Sequence, residues 1–195
     1  MMEKQEALYW EMSEKIAIWQ ETESFPEIDC HKFIDFDKEF PCFQMAKSSE
    51  KKGQTIRLSD IWGSNWAFQK KEDRGRYPSP TKLKWLLSGY TNYRNESWPS
   101  PIPPIPVYKV LGGYYLDEGN HRLYLSKLLG RATILADVYE FDYEEFLKVA
   151  FLLRHGDAHH LVAPDRSIYP ISPEEAVNFE RYKKLIEEVA KRGER

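Results

Sequence analysis

At 195 residues, 42% of them hydrophobic and 30% charged, the chain has the length and composition of one globular domain with decorations. No apolar run approaches the roughly 18–20 residues of a membrane span. The Glu-rich residues 1–20 lack the apolar stretch of a secretory signal, and a net charge of −3 gives no overall basic signature for nucleic acid. The charge is unevenly spread. Residues 1–43 hold four Lys against eleven acids, whereas residues 44–95 hold eleven Lys and Arg against four, which makes the middle third a candidate face for polyanions. Opposite charges that simply face each other or the solvent are the competing reading. Cys30 and Cys42 are the only cysteines and share no metal-ligand spacing, so no disulfide scaffold is expected and a cytoplasmic setting is.

In chain order, Leu8, Met12, Ile16 and Trp19 recur every three or four residues and predict a helix over 4–21. Short strands are expected at 32–36 and 40–46, the second interrupted by Pro41. The polar run 47–54 predicts a loop that separates an N-terminal extension, 1–49, from a main domain, 50–142. A strand at 55–58 and a short helical turn capped by Ser59 through Trp62 follow. Residues 70–76 are charged and expected to be exposed. Ser79-Pro80 then gives an N-cap and a first-turn proline for a helix that presents Leu83, Leu86 and Leu87, with Trp85 packed on the sheet, and ends at Gly89. Five prolines within 98–106 favour an extended path.

Strands are predicted at 105–111 and 114–117 around a Gly112-Gly113 turn, then a helix from Gly119 to about Leu129 and a strand over 133–141. Asp142 and Glu145 have capping-box spacing for a helix to about Arg154, and Ser172 with Glu175 repeats it for a helix to about Lys191. The fold class expected is α+β, a small mixed sheet with flanking helices, with 143–195 a C-terminal helical extension packed on the same domain.

The chemistry concentrates at Asp117-Glu118-Gly119-Asn120-His121-Arg122, read as a strand-to-helix junction. Helix-opening N–H groups lack intrahelical partners, sit at a positive dipole end and suit phosphate. Gly119 permits close approach, Arg122 adds a planar cation, His121 can donate, accept or titrate, and Glu118 could hold Mg²⁺ or act as a base. As a bare spacing Gly-x-x-Arg is common. A structural turn, with His121 hydrogen-bonded and Arg122 paired to Glu118 or Asp117, competes with the functional one.

The order Pro104-Ile105-Pro106-Val107, the hairpin to Asp117, the Glu118-Gly119-Asn120-His121-Arg122 turn and Leu128-Leu129-Gly130 resembles the ParB/sulfiredoxin superfamily. Ile56-Arg57-Leu58-Ser59-Asp60-Ile61 and the 81–89 helix extend the likeness to roughly 55–141. The resemblance implies a ParB/sulfiredoxin-like domain whose turn contacts nucleotide phosphates through Gly119, Asn120, His121 and Arg122. It also implies Arg76, or Arg74, as an upstream phosphate contact, and ATP or CTP with Mg²⁺ as the bound species. Glu118, His121 and Arg122 are then the candidate catalytic residues and Glu118 the candidate metal ligand. Two departures matter. Asn120 stands where sulfiredoxin proper has its cysteine, so that chemistry is not expected, and no helix-turn-helix is visible after Phe141. A stand-alone member remains, with nucleotide hydrolysis, small-molecule phosphorylation or nuclease activity within the family's range.

His155, His159 and His160 invite a metal reading, although Gly156 argues against a shared helical face, and a polar loop is the simpler expectation. Trp62, Trp66, Phe68 and Tyr77 interleave with Lys70, Lys71, Arg74 and Arg76, which suits single-stranded nucleic acid or, more plainly, core aromatics under a solvated basic face. The sequence therefore predicts Mg²⁺-dependent nucleotide hydrolysis or phosphoryl transfer. The alternatives are a DNA- or RNA-binding or nuclease module on 44–95 and a non-catalytic regulatory protein. No membrane partner is expected, and the stripe of Leu8, Met12, Ile16 and Trp19 suits either core or a homodimer interface.

Overall fold

The computed structural model describes residues 2–26, 32–64, 78–91 and 102–193. The architecture is α+β, as expected. Its elements are α1 (Met2–Glu21), β1 (Lys32–Phe33), α2 (Phe36–Glu39), β2 (Ser48–Arg57), β3 (Ile61–Ser64), α3 (Pro80–Thr91), β4 (Ile105–Val110) and β5 (Gly113–Leu116). Then come α4 (Asn120–Leu128), β6 (Thr133–Phe141), α5 (Tyr143–Val149), β7 (Phe151–His155), β8 (Ala158–Val162), β9 (Ile168–Ile171) and α6 (Pro173–Gly193). The first six strands form one mixed sheet in the order β1-β3-β5-β4-β6-β2, and the last three form an antiparallel meander.

Alternation along the central strands sends side chains to two cores. Ile105, Val107, Leu116, Ala136 and Val138 face α4, where Leu123 meets them. Tyr108, Val110, Tyr115 and Phe141 point the other way, into an aromatic core with Phe36, Phe40, Phe43, Tyr143 and Phe179. The rings there pack edge-on or tilted, as between Phe40 and Tyr115 at 5.1 Å, with Phe40 stacked on Tyr182 at 5.4 Å. The Tyr143 hydroxyl, fully enclosed, donates to the Pro41 carbonyl at 2.9 Å, so its burial leaves no lone donor. A third core joins α1 to α3 and α4 through Met12, Ile16, Leu83, Leu87, Tyr124 and Leu125. Helix α4 therefore lies between the sheet and two other helices.

Several local expectations are corrected. The run 47–54 is not a loop: β2 begins at Ser48 and pairs antiparallel with β6 from Ser48↔Phe141 to Arg57↔Thr133, with a bulge between Lys51 and Gln54. It is an edge strand with only Ile56 buried, so it shows no alternation to read, and its Lys51 and Lys52 are the charges that protect an open edge. Residues 40–46 are a turn and a 3-10 helix, Phe43–Met45, whose spacing of three drops both Phe40 and Phe43 into the core. Only Lys32–Phe33 of the first expected strand pairs, with β3. The expected turn through Trp62 is a shorter 3-10 segment, Leu58–Asp60, followed by β3.

The helix expected to reach Arg154 stops at Val149, and 151–162 is a hairpin whose turn needs the left-handed Gly156 at φ 58. The C-terminal region therefore carries a three-stranded sheet between its two helices. The hairpin turn of β4 and β5 is Leu111-Gly112, one residue earlier than expected. Gly113 belongs to β5, where a Cβ would come within 2.6 Å of the Trp62 ring. Of the two expected capping boxes one forms, Ser172 and Glu175 capping each other reciprocally; Asp142 is an N-cap that accepts from the Glu145 N–H at 3.3 Å, but its own N–H donates to the Lys47 carbonyl at 2.8 Å and not to Glu145.

Because Phe40 brings the segment before β2 into the aromatic core, Phe40→Ala should cost about 3–5 kcal/mol in urea unfolding. A loss below about 1 kcal/mol would show that residues 36–45 are an appendage rather than core.

Candidate functional site

Strand β5 delivers the chain to the turn at Leu116. The Asp117 N–H donates to the Pro106 carbonyl at 3.2 Å, and the Tyr108 hydroxyl bonds its carboxylate. Burial raises the Asp117 pKa despite that bond and pushes Tyr108 up to about 12. Gly119 then opens α4 with φ 102, and its carbonyl accepts from the Leu123 N–H at 2.9 Å. Two constraints demand glycine. The dihedral is left-handed, and a Cβ would lie 2.8 Å from Ile105 Cγ2 and 3.1 Å from both Arg122 Nε and Nη2.

Arg122 reaches back over that glycine. Its Nη1 donates to the Pro103 and Pro104 carbonyls at 2.8 and 2.7 Å, so it fastens the proline-rich segment to α4 instead of pairing with Asp117 or Glu118. Extended prolines supply carbonyls without competing N–H groups, which suits this clamp. Nε and Nη2 have no hydrogen-bond partner among the described residues. Burial lowers the pKa of Arg122, partly offset by Tyr90 and Glu118, and a guanidinium remains charged through such a shift.

His121 points toward α3. Its Nε2 accepts the Ser79 N–H at 3.0 Å, one residue before the helix begins. Burial, helped by the charge of Lys82, pushes its pKa down to about 4. The ring is neutral at pH 7 and ties two helix starts together. Asn120 is buried in the first turn of α4, and Glu118 is exposed beside it. Glu118, Gly119, Asn120, His121 and Arg122 are thus together, whereas Arg76 and Arg74 lie outside the described residues.

Sequence reasoning missed the partners of this turn. Ser79 announced itself only as a helix cap, and nothing local linked it to His121. Pro103 and Pro104 were read as an extended path and not as acceptors for Arg122. Lys82 was one cation among many until α3 brought it to His121.

The other candidate clusters disperse. His155 and His160 lie on one face of the β7–β8 hairpin, diagonally across the pairs Leu153↔His160 and His155↔Ala158. His159 is on the opposite face, and its buried Nδ1 has no hydrogen-bond partner among the described residues. No group of three or more His, Cys, Asp or Glu able to hold a metal occurs among the described residues. Of the basic-aromatic stretch, Lys70, Lys71, Arg74 and Arg76 with Trp66, Phe68 and Tyr77 lie outside the described residues. Trp62 is 55% exposed over Gly113, and Trp85 is 42% exposed on α3 rather than buried against the sheet. No helix among the described residues is long and apolar enough to cross a membrane. Compared with known proteins, the chain matches no family model, no curated protein and no solved structure.

The neutral His121 has a pH signature. Between its ordinary pKa of 6.5 and the folded value of about 4, the unfolded chain takes up a proton that the folded chain refuses. Stability from this group is complete above the upper value and declines as pH falls toward the lower one. His121→Gln, which keeps an acceptor for Ser79, should lose less stability than the wild type between pH 7 and pH 4 in urea titrations. Parallel losses in the two proteins would mean that His121 is protonated in the folded state as readily as in the unfolded one.

Proposed function

We propose that this protein binds a nucleoside triphosphate, ATP or CTP, at the turn from Glu118 to Arg122, with Mg²⁺ at Glu118, and that the site supports phosphoryl transfer or hydrolysis. One observation carries the reading. The Nε and Nη2 edge of Arg122 lies against Gly119, where the α4 N–H groups begin, with no hydrogen-bond partner among the described residues. A phosphate there meets a helix dipole and two guanidinium donors in one place. The left-handed glycine lets the Arg122 guanidinium lie directly against the backbone of the turn. The sequence resemblance of 55–141 to the ParB/sulfiredoxin superfamily supports the same assignment.

The donor set suits Mg²⁺ in a limited way. That ion typically takes one or two protein carboxylates and completes its shell with phosphate oxygens and water. Glu118 is exposed and offers one such carboxylate, while Asp117 is engaged by Tyr108. When bound, the ion would neutralise phosphate charge. The chain's own groups do the remaining work. Arg122 and the α4 N–H groups hold phosphate oxygens and stabilise charge as it develops on them. His121, uncharged and bonded to Ser79, positions α3 against the turn and leaves the cationic role to Arg122 and the nearby Lys82.

Removing Arg122 altogether would also free the Pro103 and Pro104 carbonyls, so Arg122→Lys is the more informative variant. In thermal unfolding, ATP or CTP with Mg²⁺ at a hundredfold excess over Kd should stabilise the wild type by about 2.7 kcal/mol. Arg122→Lys, which keeps the charge but not the fork, should lose most of that shift. Glu118→Ala should lose its Mg²⁺ dependence. A wild type unaffected by either nucleotide, or shifts equal in all three proteins, would rule the reading out.

A further inference from the structure

The Arg122 guanidinium that covers Gly119 is also one wall of a cleft of about 440 Å³ between α3, α4 and the start of β6. That volume is in the range of small-ligand sites. Ile102 and Leu135 contribute apolar surface, and Arg122, Arg131, Tyr90 and Ser126 contribute the polar groups. No carboxylate is among the described residues that line it.

Tyr90 organises the polar side. Its hydroxyl shares a 2.9 Å hydrogen bond with Ser126 Oγ and donates to the Arg122 carbonyl at 3.4 Å, which fixes the ring against α4. The Arg131 guanidinium lies 4.4 Å from that ring's centroid. A guanidinium stacked on an aromatic face is oriented, and its N–H donors stay available around its edge. Arg131 has no ion pair among the described residues. Two cations lining one cleft without an acid repel each other, and an anion relieves that repulsion. An oriented guanidinium also loses less freedom on binding than a free one.

We propose that this cleft binds a small organic phosphate, with the phosphate on Arg131 in the field of Arg122 and the organic body against Ile102 and Leu135. A phosphate dianion matches a guanidinium fork bidentately and gains from the second cation more than a monoanion does. The apolar wall gives an ester an advantage over inorganic phosphate. The site depends on Arg131 and Tyr90 and needs neither Glu118 nor Mg²⁺, so it stands separately from the nucleotide reading.

Calorimetry without Mg²⁺ tests it, with AMP and ribose 5-phosphate as probes against adenosine and ribose. The two esters should bind the wild type and the two parents should not. Arg131→Gln should weaken ester binding about tenfold at low salt, the loss of one charge-assisted contact. Lys184→Gln, which removes an equal charge on α6, and Glu118→Gln should both leave it unchanged. Should Arg131→Gln fold poorly, Arg131→Lys carries the same test: it keeps the charge, loses the planar fork and should bind several-fold more weakly than the wild type. No ester binding at millimolar concentration, or affinity unchanged in both Arg131 variants, would overturn the proposal. Loss of Mg²⁺-dependent ATP binding in Glu118→Gln with intact AMP binding would separate this cleft from the turn.

Discussion

The two-sided burial of α4 is the constraint on which the arrangement rests. Leu123 packs on the sheet, while Tyr124 and Leu125 pack on α1 and α3, so this nine-residue helix has little freedom to tilt or slide. Its entry point is equally determined. The left-handed dihedral at Gly119 turns the chain from β5 into the helix within two residues of Asp117, and Ile105 and Arg122 close over the space a Cβ would take. The turn that carries the candidate chemistry is thus held by packing on both sides of the helix that follows it.

That arrangement decides how charge is distributed around the turn. His121 is drawn toward α3, where burial keeps it neutral and Ser79 occupies its Nε2. Arg122 stays cationic and spends one nitrogen on the proline carbonyls. One side chain therefore joins two helices, and the other joins a helix to the segment that leads into β4. An anion at the turn would meet a cation already oriented by structure, so it would order little on binding. The same guanidinium closes one wall of the Arg131 cleft, which makes it a shared boundary between two candidate sites.

The opposite face of the sheet has another role. There the aromatic core gathers residues from 36–43, from β4 to β6 and from α5 and α6. Its rings interlock at centroid distances of about 5–6 Å, which fixes the strands whose ends present the turn. On β6, the neighbour of the outer strand β2, Glu140 takes Lys51 from β2 and Lys109 from β4 at 2.5 and 2.6 Å, a partly exposed network that spans three strands. Exposed pairs of this kind contribute little to stability individually. Their arrangement places charge on the open edge rather than in the core.

The elements with strong local signals were legible in the sequence. The periodic apolar stripe of α1, the Ser79-Pro80 start of α3, the glycine that opens α4, the Asp142 N-cap and the Ser172–Glu175 capping box each depend on neighbours within four residues. The α+β class and the grouping of Glu118, Gly119, Asn120, His121 and Arg122 followed from them. The polar edge strand β2 and the β7–β8 hairpin were missed, because the first buries only Ile56 and the second forms only against its partner strands. Nor did spacing reveal that His121 would meet Ser79, Arg122 the carbonyls of Pro103 and Pro104, or Arg131 the ring of Tyr90. Those contacts join residues 18 to 42 positions apart. Local chemistry therefore determined which residues share the turn. Only the packing of α3, α4 and the sheet decided which of them stay charged, which are occupied in holding the fold, and which still face open space, because burial and hydrogen-bond partnership are properties of neighbours in space and not in sequence.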